Sequence, residues 1–320
     1  MSMKGCFVGF DTSNYTTSAA ICTEEGKVVA NLKLPLPVKD GERGLRQSDA
    51  VFSHVRNLPA LCERLEDSLQ GMDPLAVGVS THPRDAEDSY MPCFLSGKAA
   101  ASAFAASSRI PMFDFSHQNG HIMAALYSSG ACDQLLHSPF LSFHVSGGTT
   151  EGLLVTPSTE GGFSVKLEAE TADLNAGQVI DRVGVMMGFS FPCGKEMELL
   201  ASSYNGKPYR HPVSVRNGKC SLSGVENIAG RLYRETKDPS AVASFVFDFI
   251  GRTLVQMSGY LTEKYGNLPI LYAGGVMSNQ LMRKALSDRF CAYFAEPAFS
   301  ADNAAGIALL CRQRYKMNRK

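Results

Sequence analysis

Two segments of the sequence resemble each other, one near the start of the chain and one near its middle. Gly5 to Cys22 reads GCFVGFDTSNYTTSAAIC, and Leu141 to Val155 reads LSFHVSGGTTEGLLV. In each, an apolar run is followed by small polar residues ending in Thr-Thr and then by a second apolar run, the pattern of two strands joined by a tight turn. Two such hairpins predict a duplicated α/β lobe with a cleft between the copies. Chance similarity between short hairpins is the alternative interpretation.

The rest of the sequence alternates between helical and extended patterns, which is typical of an α/β fold. The predicted helices cover residues 53–69, 97–107, 117–126, 176–187 and 238–264. We expect Pro59 near the first turn of the first of these helices, where a missing N–H costs little. The predicted strands cover 75–80 and 268–272, a third hairpin turns at Asn217-Gly218, and 34–47 and 202–211 are predicted surface loops.

Composition narrows the class of protein. The chain has 320 residues, of which 44% are hydrophobic and 19% charged, so two lobes with buried cores are expected. Its 31 basic residues balance its 31 acidic ones, so any contact with nucleic acid or membrane must be local. The longest nearly uncharged run, 99–108, is too short to span a bilayer. Asp11 interrupts the first apolar run, so we do not expect a signal peptide there. Nine cysteines stand singly, which predicts a cytoplasmic protein with reduced thiols. The balanced charge and the lack of a spanning run predict no membrane partner.

His117 and His121 stand four positions apart in a predicted helix. On a helix both imidazoles lie on one face and can bind one metal ion. A zinc protease of the H-E-x-x-H type needs a glutamate after the first histidine as general base, and this chain has Gln118 there. The protease interpretation therefore lacks its base. The spacing by itself fits a metal-binding pair and a polar or buried histidine pair equally well.

Two glycine-rich turns are candidates for contact with a nucleotide. The first turn joins the strands of the second hairpin and consists of Ser146, Gly147, Gly148 and Thr149. Its backbone N–H groups can approach phosphate oxygens, because glycine leaves the main chain bare. The second turn, Gly274-Gly275, lies between a strand and a helix that begins near Asn279. Asp181 can hold a ribose hydroxyl. Each of these residues also has a structural interpretation, as a turn, a cap or a solvated carboxylate, as does Gly194.

These features occur together with a late Asp302-Asn303 pair, a combination typical of the actin, sugar-kinase and heat-shock ATPase superfamily. In chain order the motifs read SHQNGH, VSGGTT, NAGQVIDRVGVMMGFSFPCG, SLSG, AGGVMSN and ADNAAGIA. This order resembles the TsaD family, the tRNA threonylcarbamoyladenosine transferases once described as glycoprotease-type metallopeptidases. The resemblance extends from Gly9 to about Ala308, so it is far more specific than any single motif.

The resemblance implies two ribonuclease-H-like lobes with a nucleotide cleft between them. We place the lobes at 1–112 and 113–302, with a C-terminal helix over 303–320 packing back on the first. By resemblance, His117, His121 and Asp302 bind one divalent metal ion, iron or zinc, with positions left open for a substrate oxygen. Contact with an adenine nucleotide, with magnesium as a further candidate ion, is implied for Ser146, Gly147, Gly148, Thr149, Asp181, Gly194, Gly275 and Asn279.

The implied activity is transfer of a threonylcarbamoyl group from threonylcarbamoyl-adenylate to the amino group of the adenosine beside the tRNA anticodon. In the family, a partner enzyme makes this adenylate, and the transferase works with a smaller relative of itself and an ATPase. A Lewis-acid metal and backbone amides would stabilise the developing negative charge. The C-terminal cations Arg312, Arg314, Lys316, Arg319 and Lys320 are a candidate tRNA contact, and a solvated helix end is the alternative.

The chain also departs from the family pattern. The usual Glu-Thr-Ser of the first strand is Asp11-Thr12-Ser13, followed by Asn14-Tyr15; Thr81-His82-Pro83-Arg84 replaces a GPGL loop; and Thr149, Gln178 and Glu226 replace the usual histidine or asparagine, glutamate and lysine. These changes affect the substrate loops more than the metal ligands. Two further hypotheses therefore stay open, a diverged carbamoyltransferase with another substrate and a non-catalytic nucleotide-binding partner protein. His82 is a candidate contributor to the altered loop.

Overall fold

The computed structural model describes residues 4–13, 15–37, 45–300 and 302–319. The chain divides into two compact units. The first comprises Met1–Ser128, Pro157–Ser164 and Ala298–Lys320, and the second comprises Ser129–Thr156 and Val165–Pro297. His117 and His121 lie in the first unit, whereas the sequence-based division at residue 112 placed them in the second lobe. The reason is that the helix that carries both histidines packs, at Gly120, against the C-terminal helix of the first unit, at Gly306.

The described strands form two sheets with a shared topology. In chain order they are β1 (Lys4–Asp11), β2 (Thr16–Thr23), β3 (Val28–Pro35), β4 (Met72–His82), β5 (Met112–Ser116), β6 (Phe140–Val145), β7 (Thr150–Pro157), β8 (Phe163–Thr171), β9 (Val215–Arg216), β10 (Lys219–Cys220), β11 (Ile270–Ala273) and β12 (Ala292–Phe294). One sheet has the order β3-β2-β1-β4-β5, and the other has the order β12-β11-β6-β7-β8-β10-β9. In the second sheet, the neighbouring strands β8-β7-β6-β11-β12 repeat the order β3-β2-β1-β4-β5 of the first sheet, as expected for a duplicated lobe.

All three predicted hairpins are present. β1 pairs antiparallel with β2, β6 with β7, and β9 with β10. The turn of the third hairpin has positive φ angles of 50° at Asn217 and 78° at Gly218, the backbone that the Asn-Gly pair favours. In the first sheet β1 runs parallel to β4, and β4 runs parallel to β5. The carboxyl ends of these parallel strands therefore lie at one edge of the sheet.

The predicted helices are present among the described residues, together with four that the sequence did not predict. The helices are α1 (Gln47–Ser68), α2 (Phe94–Ser108), α3 (His117–Ser129), α4 (Cys132–Leu135), α5 (Ala176–Met186), α6 (Gly194–Ser203), α7 (Gly224–Thr236), α8 (Pro239–Tyr265), α9 (Gln280–Ser287), α10 (Pro297–Ser300) and α11 (Ala305–Met317), with a 3-10 turn at Gly275–Ser278. Those that the sequence did not predict are α4, α6, α7 and α10. Pro59 lies inside α1 rather than near its first turn, because the helix already begins at Gln47. Among the described helices, none has the length and apolarity needed to cross a bilayer.

Each unit has its own apolar core. In the first, Val8 and Ile21 of the sheet pack with Leu61 of α1. In the second, α8 is buried along most of its length and packs with Phe143 and Tyr272 of the sheet. The Asp238 carboxylate caps α8 by accepting hydrogen bonds from the N–H groups of Ser240 and Ala241, as the Asp-Pro pair predicts. The part of the predicted loop at 34–47 that covers residues 38–44 lies outside the described residues.

Candidate metal centre and nucleotide cavity

Three side chains of the first unit form a group that can hold a metal ion. One ligand atom from each of His117, His121 and Asp302 lies within 4.8 Å of the others. Asp302 Oδ1 is 3.6 Å from His117 Nε2 and 3.4 Å from His121 Nε2. The imidazole rings meet edge to face, with centroids 4.2 Å apart. Two imidazole nitrogens and one carboxylate oxygen suit a borderline divalent metal such as iron or zinc and leave coordination positions open.

Asp11, which the sequence did not identify as a site residue, orients this group. Its Oδ2 is 2.6 Å from His117 Nδ1, and its Oδ1 accepts a hydrogen bond of 2.7 Å from the Ser13 N–H. The Asp11 side chain is completely buried. A carboxylate on the far nitrogen of a ligating histidine fixes its tautomer, so the other nitrogen is presented to the metal. The feature of the sequence that could have identified Asp11 as a site residue was its place at the end of a predicted strand.

The electrostatics of this group favour a bound cation. Burial alone would lower the pKa of His117, but the carboxylates of Asp11 and Asp302 outweigh it and raise that pKa to about 10. Burial alone would raise the pKa of Asp302, and hydrogen bonds and charge from the two histidines hold it far below its usual range. The buried carboxylate of Asp11 and the partly exposed carboxylate of Asp302 thus hold a proton on His117. A divalent ion would take over that positive charge, and its binding would release the proton.

Close helix packing explains why these residues converge. α3 begins at His117 directly after β5, and α11 begins shortly after Asp302. A Cβ atom on Gly306 would collide with the backbone oxygen of Gly120, so the two helices touch at backbone distance there. A Cβ on Gly9 of β1 would lie 2.5 Å from the backbone nitrogen of Ala308. The glycines bring α3, α11 and β1 together, and with them the ligands and Asp11.

A separate cavity of about 420 Å³ lies in the second unit, a size that accommodates a small organic ligand. Its lining includes five of the residues predicted to contact a nucleotide, Gly147, Asp181, Gly194, Gly275 and Asn279. The sequence did not identify the other lining residues, among them Gly177, Ile180, Lys195, Glu198 and Phe247. Gly177 had a signal in its NAGQ motif, but Phe247 comes from the middle of α8, where the pattern indicates only core.

Asn279 lines this cavity and carries a side-chain hydrogen-bond donor that is not used within the described residues. Its Oδ1 accepts a hydrogen bond of 2.9 Å from the Met282 N–H and thereby caps α9. Its Nδ2 is buried without a hydrogen-bond partner among the described residues, and the side chain is 5% exposed. A buried donor left without a partner is costly, so a ligand acceptor that reached Nδ2 from the cavity would relieve that cost.

Other predicted contacts are engaged within the protein. The Ser146 hydroxyl accepts hydrogen bonds from the N–H groups of Gly148 (3.2 Å) and Thr149 (3.1 Å), so the loop is closed on itself. Gly147 lines the cavity, whereas Ser146, Gly148 and Thr149 are not part of its lining. Asp181 lines it too, but its Oδ1 accepts a hydrogen bond of 2.8 Å from the Cys193 N–H and so holds the turn before Gly194.

Two departures from the family pattern are accommodated locally. Gln178 Oε1 accepts a hydrogen bond of 3.0 Å from the Asn175 N–H, a capping role that glutamine and glutamate fill equally at the start of α5. Glu226 Oε2 lies 3.0 Å from Arg182 Nε, so its negative charge has a cationic partner. Neither substitution leaves an uncompensated group. Asn14, within the changed segment after the first strand, lies outside the described residues.

The C-terminal cations are mostly bound to the protein itself. Arg312 and Lys316 both donate to the Glu24 carbonyl oxygen, over 2.6 Å and 2.7 Å. Arg314 donates to the Gly161 carbonyl oxygen, and the Arg319 guanidinium stacks on Tyr315. Lys320 lies outside the described residues. These contacts fix the end of α11 on its own unit, which favours the structural interpretation of the cluster over a dedicated tRNA contact.

A model of the family described as TsaD, tRNA N6-adenosine threonylcarbamoyltransferase, matches residues 90–309. The chain belongs to this family. A tRNA N6-adenosine threonylcarbamoyltransferase of Methanopyrus kandleri is 26% identical over 306 residues, which cover 94% of this chain and 85% of the relative. One from Streptococcus sanguinis is 30% identical over 301 residues, which cover 89% and 84%. The resemblance inferred from the order of the motifs is thereby confirmed.

Solved structures confirm the predicted fold class. HypF of T. kodakarensis matches 98% of this chain with a TM-score of 0.61 at 12% identity, and this chain spans about half of that protein, 48%. A ROK family glucokinase from Streptomyces griseus, solved with glucose and AMPPNP, matches 97% of this chain and 100% of its own length, with a TM-score of 0.53 at 16% identity. The TsaD-family chain therefore has the two-lobed fold of the sugar-kinase and actin-like ATPases.

Proposed function

We propose that this chain is a tRNA-modifying acyltransferase that moves a threonylcarbamoyl group from threonylcarbamoyl-adenylate to N6 of the adenosine beside the anticodon. The observation that carries the proposal is membership of the TsaD family over most of the chain, in which residues 90–309 include His117, His121 and Asp302. Curated relatives that bear the name of this activity align over 89% to 97% of the chain.

The metal group is the first part of the proposed site. His117, His121 and Asp302 would hold one divalent ion, iron or zinc, and Asp11 would keep His117 Nε2 directed at it. When bound, the ion supplies Lewis acidity that anchors and polarises an oxygen of the substrate. The chain's own contribution is the arrangement of partly buried imidazoles and carboxylate with the buried Asp11 behind them, which is fixed before any ligand arrives and so needs little reorganisation.

The cavity of the second unit is the proposed site for the adenine nucleotide. We assign Asn279 Nδ2 as a donor to the nucleoside and Asp181, through its second oxygen, as an acceptor for a ribose hydroxyl. The glycines Gly147, Gly194 and Gly275 let the ligand approach the main chain closely. Ser146, Gly148 and Thr149 remain proposed phosphate contacts. For this, the N–H groups of Gly148 and Thr149 would have to donate to the phosphate instead of to the Ser146 hydroxyl. Magnesium would accompany ATP.

The proposed reaction is a balanced acyl transfer. The N6 nitrogen of adenosine forms a bond to the carbamoyl carbon, the bond from that carbon to the AMP phosphate oxygen breaks, and N6 loses one proton. AMP leaves with the electron pair of the broken bond. Backbone amides near the carbamoyl oxygen would stabilise the negative charge that develops there.

The proposal extends to cellular context. A transferase of this kind needs a partner enzyme that makes the adenylate, and we propose that it works in the cytoplasm with a smaller relative of itself and an ATPase. Since the net charge of the chain is zero, binding of tRNA would depend on local cations or on those partners.

The decisive experiment is nucleoside mass spectrometry of tRNA from cells depleted of their own transferase and supplied with this chain. We expect threonylcarbamoyladenosine to be restored by the wild-type chain and by Asp114→Asn, an exposed change that breaks only the pair with Lys98. His117→Ala should restore none. Unmodified tRNA in cells that contain folded, metal-loaded wild-type protein and the partner proteins would refute the proposal.

A further inference from the structure

The segment Thr81–Asp85 packs against the start of the helix that carries the histidine pair. β4 runs two residues further than predicted, to His82, whose Cα is paired with that of Ser116. Ser116 is the last residue of β5, and α3 begins at the next residue, His117. The polar residues that replace a glycine-rich loop therefore lie directly beside the first turn of α3.

Asp85 is the centre of the contacts between this segment and α3. Its Oδ2 accepts hydrogen bonds from Ser116 Oγ (2.8 Å) and from Asn119 Nδ2 (2.5 Å). Both partners are buried, with exposures of 1% for Ser116 and 5% for Asn119. Asp85 Oδ1 lies 2.9 Å from His82 Nε2, so the carboxylate is held from its outer side as well.

The same segment satisfies backbone groups at the beginning of α3. The Pro83 carbonyl oxygen accepts a hydrogen bond of 3.0 Å from the Gln118 N–H, and Ser116 Oγ accepts one of 3.2 Å from the Asn119 N–H. The first N–H groups of a helix have no partner within it, and a negative charge beside them interacts favourably with the helix dipole. Asp85, Pro83 and Ser116 thus fix the position of the first turn of α3.

Asn119 extends this network to a second anchor. Its Oδ1 accepts a hydrogen bond of 2.7 Å from the Phe163 N–H, and its Nδ2 donates to the Phe163 carbonyl oxygen over 3.1 Å. Asn119 lies between His117 and His121 in sequence, so the contacts that hold its side chain act on the same first turns of α3 that carry both histidines. The Asp85 carboxylate directs the Nδ2 end of this amide.

We propose that Asp85 is a positioning residue for the metal group, acting through Ser116 and Asn119 on the turn that presents His117 and His121. The segment Thr81–Asp85 thereby sets metal affinity without contacting the metal. His82 is the outer link, since it holds Asp85 and has its own Nδ1 2.9 Å from Thr81 Oγ1. The inference concerns the metal group alone and is independent of the acyl acceptor.

The test measures Co²⁺ and Zn²⁺ affinity of the full-length protein by competition with a chromophoric chelator, together with the visible absorption spectrum of bound Co²⁺. We expect Asp85→Ala to weaken both affinities about tenfold, the lower end of the range for residues that orient metal ligands, and to change the Co²⁺ spectrum. Asp85→Asn keeps an acceptor oxygen for Ser116 and should retain most of the affinity. Asp114→Asn removes a carboxylate of the same strand, β5, whose described partner is Lys98 rather than a member of this network, and should match the wild type.

Apo-protein unfolding curves separate positioning from general damage. A variant that unfolds cooperatively yet binds Co²⁺ more weakly, with an altered spectrum, supports the proposal. Wild-type affinity and spectrum in folded Asp85→Ala would overturn it. If Asp85→Ala does not fold, Ser116→Ala takes its place, since it breaks the same connection and leaves Asp85 intact; unchanged metal binding in that variant would equally refute the role of the segment.

Discussion

At the scale of single residues, we expect Asp11 to have the largest effect on metal affinity of any residue that is not itself a metal ligand. Asp11→Asn keeps an oxygen near His117 Nδ1 but removes a buried negative charge. That charge stabilises a divalent cation bound beside His117. We expect Zn²⁺ affinity to fall by about 10- to 100-fold, as for other residues that orient ligating histidines. Chelator competition measures it. Affinity equal to that of the wild type would show that Asp11 only supports the backbone of Ser13.

Local sequence patterns predicted two of the four residues that the structure brings together in this candidate metal group. The spacing of His117 and His121 places both rings on one helix face by helical geometry, so a pair was predictable from local information. Asp302 became a candidate only through the resemblance, because no local rule connects residues so far apart in the chain. Asp11 was missed as a site residue, since its contact depends on which strand lies beside α3. That is a property of sheet order, which side-chain patterns do not encode.

At the scale of elements, the contact of α3 with α11 at Gly120 and Gly306 is the packing feature on which the metal group depends. Gly306→Ala would place a methyl group against the backbone oxygen of Gly120. We expect a loss of more than about 2 kcal/mol in unfolding free energy, because backbone cannot yield as a side chain can. Thermal and urea unfolding of the metal-free protein measure the change.

Gly259 is the matched control for this prediction. It lies inside α8, and a Cβ atom there would meet nothing within 4 Å. Gly259→Ala should therefore stabilise the protein by about 0.5–1 kcal/mol, the ordinary difference in helix propensity between the two residues. Equal effects at the two positions would mean that the close approach of α3 and α11 does not constrain the fold.

Elements were more predictable than their ends and their contacts. The hairpins followed from apolar runs around Thr-Thr and Asn-Gly turns, since turn chemistry is local. The start of α1 at Gln47 was missed because its first turns carry polar residues typical of a loop. In the glycine loop, the pattern predicted N–H groups free for phosphate, whereas the Ser146 hydroxyl accepts from two of them. Such competition between a side chain and a ligand is decided by geometry rather than by composition.

At the scale of the whole molecule, the candidate metal group and the proposed nucleotide cavity belong to different compact units. His117, His121 and Asp302 are in the first unit, and the cavity that includes Asn279 is in the second. Each ligand should therefore have its own structural determinants. A ligand present at about 100 times its dissociation constant stabilises the folded state by about 2.7 kcal/mol, which gives a measurable rise in unfolding temperature for each site separately.

The last prediction concerns two variants, each of which should weaken or lose the response to one ligand and keep the response to the other. Asn279→Ser keeps a capping oxygen for the Met282 N–H but removes the Nδ2 donor, so it should weaken ATP binding roughly two- to tenfold and leave Zn²⁺ stabilisation intact. His117→Ala should lose the Zn²⁺ effect and keep the ATP effect. Thermal unfolding with each ligand, at matched concentrations, measures both. If either folded variant lost both responses, the two ligands would share determinants, and the assignment of one ligand to each unit would have to be abandoned.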